Sequence, residues 1–168
     1  AVFLRAEDHR DPDLPQGGCW ERLIAIADNV GHDYVVQLDA DTVTIADVPE
    51  VRDAIRSQRS FVLGTVDDQD FVPCTAAAKW AQDEQTGDDH VQLIAESHLD
   101  RLPDAERRRY VRGCAGFSGF AQGSFSRDDL RELGRYMGTA LGQRWSAWGT
   151  EQFASNFIVA NSAKATVL

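Results

Sequence analysis

Apolar positions recur along this chain at two periods. Trp20, Leu23, Ile24, Ala27 and Val30 repeat at helical spacing, with Glu21, Arg22 and Asp28 elsewhere on the wheel and Gly31 suited to the C-cap, so a helix is predicted over 20–30. The apolar run inside DYVVQLDAD then reads as a strand. VPEVRDAIRS (48–57) predicts a helix entered through its proline, FVLGTV a strand, and PCTAAAKWAQ (73–82) a helix with proline in its first turn. HVQLIAESH fits either period and is expected to be a strand. PDAERRRYVRG is expected to begin helical and end extended, and the Gly-rich GFSGFAQGSF to be a strand with close backbone approach. Ser126 with Asp128 and Asp129 marks a helix start, with Leu130, Leu133, Met137 and Leu141 as the buried stripe. Thr150 is expected to cap a last helix, EQFASNFIVAN, with Phe153, Phe157 and Ile158 apolar. At the other end VFLR (2–5) reads as a short buried strand and DHRDPDLPQGG as a loop. Trp20 and Trp80 are expected in the core.

Strand, loop, helix and strand in that order fit a parallel α/β unit. The expectation is one domain over 1–168, an α/β fold with a mixed, mostly parallel open sheet flanked by helices. At 168 residues the chain is long enough for one sizeable core. The net charge of −10 argues against a nucleic-acid partner and means that phosphate ligands need a cation between them and the protein. Three scattered cysteines with no CxxC pair argue against a disulfide framework or structural zinc and point to a cytoplasmic location. No stretch approaches the ~20 apolar residues of a membrane span.

The most informative stretch is VVQLDADTVTIADV (35–48), where an apolar run meets two carboxylates, Asp39 and Asp41. Side chains alternate along a strand, so the two share a side with Val35 and Gln37. At the carboxyl end of a strand, where open α/β sheets place ligands, neighbouring carboxylates repel unless a divalent cation holds both. Mn²⁺ or Mg²⁺ suits such oxygen ligands. The alternatives are Asx turns at a strand end or a nucleophilic Asp39. Asp39-Ala40-Asp41-Thr42-Val43 resembles the D-x-D-x-[TV] motif of haloacid-dehalogenase-like phosphatases, but the only lysines are Lys79 and Lys164. The best candidate for that family's later acidic pair, Asp67-Asp68, precedes both.

A second resemblance covers over half the chain. VVQLDADTVTIADVPEV looks like the D-x-D segment of GT-A fold glycosyltransferases, and CWERLIAIADNVGHDY like the helix and turn before it. YVRGCAGFSGFAQGSF is similar to the strand and Gly-containing loop lining their sugar site, and WGTEQFASNFIVAN to the later motif in which an acidic residue and Gln open a helix beside the transferred sugar. The resemblance implies a metal-dependent transferase moving a sugar from a nucleotide diphosphate donor to an unknown hydroxyl acceptor. Asp39 and Asp41 would bind the metal, with Asp39 also touching the nucleotide. Trp148, Gln152 and Gly116 would line the donor site, and Glu151 would be the catalytic residue.

Each assignment has a plainer counterpart: Glu151 as a first-turn carboxylate on a solvated helix face, the glycines near 116 as packing, Arg107–Arg109 as a solvated run. Only 38 residues precede Asp39, with one predicted strand among them, so the part that holds the nucleotide base in that family is expected to be missing. No histidine after His98 supplies the further metal ligand some of its members use. A non-catalytic nucleotide-sugar or metal-binding domain is therefore the remaining alternative.

Overall fold

Helix α1 (Trp20–Val30) buries Trp20, Leu23, Ile24, Ala27 and Val30, the predicted stripe. Its entry is a run of left-handed residues, Gly17, Gly18 and Cys19, and the Gly17 amide donates to the Glu21 carboxylate at 3.1 Å. There follow β1 (Val35–Leu38), α2 (Pro49–Arg56), β2 (Ser60–Gly64), β3 (Val72–Pro73), α3 (Cys74–Glu84), α4 (Val91–Glu96), β4 (Arg109–Tyr110), β5 (Gly113–Phe120), α5 (Arg127–Leu141), α6 (Thr150–Asn161) and β6 (Ala165–Val167). This is a computed structural model, and it describes residues 3–67 and 69–168.

The fold is α/β, with a four-stranded mixed sheet in the order β1-β5-β2-β6 and a small β3-β4 ribbon beside it. β5 runs antiparallel to both β1 and β2, and only β2 and β6 pair in parallel. The expectation of a mostly parallel sheet is corrected. β1, β2 and β6 do share one direction, but β5 is inserted between β1 and β2 and makes two of the three pairings antiparallel.

Helices cover both faces. The main core joins α1, α5 and α6 to Val62 and Phe120, and a smaller cluster joins Val51 and Ala54 of α2 to Phe61. Ser126 caps α5 in a capping box with Asp129, as its sequence predicts.

Four other expectations are corrected. Residues 91–96 are helical, because Val91 and Ala95, four apart, are both buried and the His90 side chain accepts the Gln92 amide as a cap. Phe3–Arg5 form no strand, and Phe3 is 92% exposed; Val2 lies outside the described residues. Trp80 is 47% exposed at the surface of α3. The N-cap of α6 is Gly149, at φ 104°, and Thr150 is its first residue.

Candidate functional site

β1 ends at Leu38, and Asp39 stands just past its carboxyl end. The Asp39 amide donates to the Gly116 carbonyl at 2.9 Å, which extends the β1–β5 ladder by one bond. The chain then turns at once, with the Thr42 amide donating to the Asp39 carbonyl at 3.0 Å. Strand alternation therefore does not set the relation of Asp39 to Asp41, since a tight turn carries Asp41, which is exposed.

Opposite Asp39, β5 departs from its ladder with β2. Val62 pairs with Ser118 but the next residue, Leu63, pairs with Cys114, leaving Ala115, Gly116 and Phe117 as a bulge. Ser118 Oγ donates to the Cys114 carbonyl at 3.2 Å, and the buried Gln37 side chain donates to the Ala115 carbonyl, so the bulge is pinned from two sides. The absence of a side chain at Gly116 lets Asp39 lie against the bulge, since a Cβ there would stand 2.5 Å from Asp39 Oδ2.

The third element is the start of α6. Trp20 Nε1 donates to Thr150 Oγ1 at 2.9 Å within the core, and this bond ties the first turn of α1 to the first turn of α6. Two residues after Trp20 comes Arg22, and one residue after Thr150 comes Glu151. The Arg22 guanidinium accordingly lies between two carboxylates, donating through Nη1 to Asp39 Oδ1 and through Nη2 to Glu151 at 3.2 and 3.4 Å. Arg22 Nε is also buried and has no partner among the described residues.

Glu151 is 3% exposed, so the reading of a solvated first-turn carboxylate is corrected. Burial pushes its carboxyl up to about 7, with the Arg22 charge pulling it down and Asp39 adding to the rise. A carboxyl that titrates near neutrality can both accept and release a proton at physiological pH.

The remaining residues surround this centre. Gln152 donates to Gln92 Oε1 at 3.0 Å, and Trp148 stands 72% exposed before the helix, its ring edge-on to His90. Structure thus gathers Asp39, Gly116 and Glu151 at one place, with Gln152 and Trp148 in the flanking turn and Asp41 in the turn beyond Asp39. Arg22 was missed by sequence reasoning, because its partners lie 17 and 129 residues away and nothing local distinguishes it from a surface arginine.

Among the described residues no group of three or more His, Cys, Asp and Glu side chains is gathered for a metal ion. A magnesium-type site needs only one or two carboxylates, with water and substrate phosphate completing the shell. Asp39 and Asp41 meet that requirement in kind, both being hard oxygen donors. No helix among the described residues is long and apolar enough to cross a membrane. No protein family, curated protein or solved structure matches the chain.

Proposed function

We propose that this domain binds a nucleoside diphosphate sugar and transfers the sugar to a hydroxyl acceptor. The observation that carries the reading is the convergence of Asp39 and Glu151, 112 positions apart in sequence, on the one Arg22 guanidinium beside the Gly116 bulge. A buried carboxyl near neutral pKa, a more exposed acidic strand end and a half-buried cation are the parts such a transfer needs.

Asp39 and Asp41 would hold a Mn²⁺ or Mg²⁺ ion, which when bound neutralises charge on the departing diphosphate. Gly116, having no Cβ, lets the Asp39 carboxylate lie close against the β5 backbone. Glu151 accepts the proton from the acceptor hydroxyl as that oxygen bonds to the anomeric carbon and the bond from carbon to diphosphate breaks. Should the reaction retain configuration, Glu151 would hold the sugar instead.

Thermal unfolding with Mn²⁺, UDP or GDP, and their combinations tests the reading without an acceptor. A ligand specific to the native state adds ~2.7 kcal/mol at a hundredfold excess over its dissociation constant. Each kcal/mol raises the midpoint by roughly 2–4 °C at this size. Metal and nucleotide together should therefore raise the midpoint by several degrees more than either alone, and Asp41→Ala should abolish that excess. If no combination moves the midpoint, Asp39 and Asp41 only shape a turn and the proposal fails. Hydrolysis of simple aryl phosphates that vanishes in Asp39→Asn would instead identify a phosphatase.

A further inference from the structure

Beyond the end of β2, at the same end of the sheet as Asp39, lies a cavity of about 620 Å³, within the range of sites for small organic molecules. Its mouth is apolar and open to solvent: Val66 is 68% exposed, Val72 41% and Trp80 47%. Neighbouring exposed apolar side chains of this kind mark binding surfaces more often than isolated ones do. Ala76 and Ala77 of α3 keep the wall beside Trp80 shallow.

The charges of the floor are matched, and Asp70, which also lines the cavity, is exposed and accepts the Phe71 amide at 2.7 Å. Glu96, 1% exposed, accepts the Tyr110 hydroxyl at 2.8 Å and Arg112 Nε at 2.9 Å. The Arg112 guanidinium in turn lies over the Trp80 ring, 4.7 Å from its centre. With Arg112 committed to Glu96, the floor offers no free positive charge to a phosphate or carboxylate. The largely apolar walls leave the many hydroxyls of a free sugar with few partners beyond Thr65, Gln69 and Asp70. What fits is a flat, uncharged ring system with few polar groups.

Side-chain hydrogen bonds tie the floor of the cavity to the candidate site. β5 separates β2 from β1, so the two strand ends stand about two strand spacings, roughly 10 Å, apart. Tyr110 at the floor accepts from Gln92 at 3.4 Å, and Gln92 accepts from Gln152, the residue after Glu151.

We propose that this cavity binds a flat, uncharged, largely apolar molecule carrying a hydroxyl, which, on the transferase reading above, is the acceptor. Calorimetry and saturation-transfer NMR with 2-naphthol test it, with naphthalene-2-sulfonate and methyl glucoside as comparators. 2-Naphthol should bind and the sulfonate should bind at least several-fold more weakly. Ala76→Phe, which fills the mouth from an exposed position of α3, should weaken 2-naphthol at least tenfold without changing the circular dichroism spectrum. Trp80→Ala should weaken it by removing one wall. The proposal is overturned if 2-naphthol fails to bind, if Ala76→Phe binds it equally well, or if methyl glucoside is preferred. Should 2-naphthol bind in the Ala76-dependent way while metal and nucleotide leave the midpoint unmoved, the cavity stands as a ligand site and its role as acceptor seat falls.

Discussion

At the scale of single residues, the proposed chemistry rests on Glu151 and on the position that Gly116 leaves to Asp39. Replacing Glu151 by Gln keeps the side chain's size and removes its proton-accepting form. Turnover should drop by at least ~10²-fold, the usual effect of losing a positioned acid or base. A steady-state assay showing full activity in Glu151→Gln means that the buried carboxyl serves only to hold Arg22. Gly116→Ala acts on the neighbouring group. Its Cβ would stand 2.5 Å from Asp39 Oδ2, the end of a side chain that can turn away. The fold should survive, while the joint effect of Mn²⁺ and nucleotide on the melting midpoint should disappear, since Asp39 is displaced from its working position. An unchanged ligand response would mean that Asp39 does not touch the metal or the donor.

Elements constrain the same strand differently only three residues on. Gly119 faces the Phe61 ring across the β5–β2 pairing, and a Cβ there would meet ring atoms at 2.2 and 2.4 Å and the Tyr34 hydroxyl at 2.5 Å. Phe61 is fully buried against Val51 and Ala54 of α2, so it has nowhere to move. Overpacking of this kind costs about 1–3 kcal/mol, and each kcal/mol lowers the midpoint by roughly 2–4 °C. Gly119→Ala should therefore lower the melting temperature clearly where Gly116→Ala barely does, which differential scanning calorimetry will compare directly. Equal midpoints would show that α2 yields and that the smaller cluster is loosely packed. The two glycines look alike in GCAGFSGF, yet one makes room for the Asp39 carboxylate and the other for the Phe61 ring.

For the whole molecule, buried ionisable groups set how stability follows pH. The unfolded chain releases the Glu151 proton near 4.5, whereas the native state keeps it until about 7. Between those values the native state binds more protons, so this contribution is full below 4.5 and is lost as pH rises through 7. The loss is on the order of 3 kcal/mol for an elevation of that size. Asp11 and Asp28 act in the opposite sense. Burial works against their charge, but hydrogen bonds from Arg131 to Asp11 and from Arg127 and His9 to Asp28 hold both carboxyls below their usual value of 3.8. Their stabilisation is present above that value and is lost as pH falls through the native pKa values. Urea titrations in chelator-containing buffer should show stability declining from pH 4.5 to 7, and Glu151→Gln should flatten that decline. A Gln variant with the same slope would assign the effect to another group.

Local physics was legible from the chain alone wherever one face of an element met the core. The stripe from Trp20 to Val30 and the Ser126 cap follow from periodicity and capping, which depend on residues within a turn or two of each other. The strand before Asp39 forms but buries Gln37 while Val36 and Leu38 are exposed. The strand expected at 91–96 failed because a six-residue apolar segment carries both periods, and only burial of Val91 with Ala95 selects the helix. The sheet's polarity failed for a topological reason, since no local signal shows that β5 enters between β1 and β2. Asp39, Glu151 and Gly116 could be nominated from sequence as separate residues of suitable chemistry. Their meeting at Arg22 depends on a buried bond between Trp20 and Thr150, 130 residues apart, and on a bulge in a strand paired on both sides. Contacts of that range depend on how the chain packs, so only the tertiary structure decided which carboxylates face each other and which one is buried enough to hold its proton.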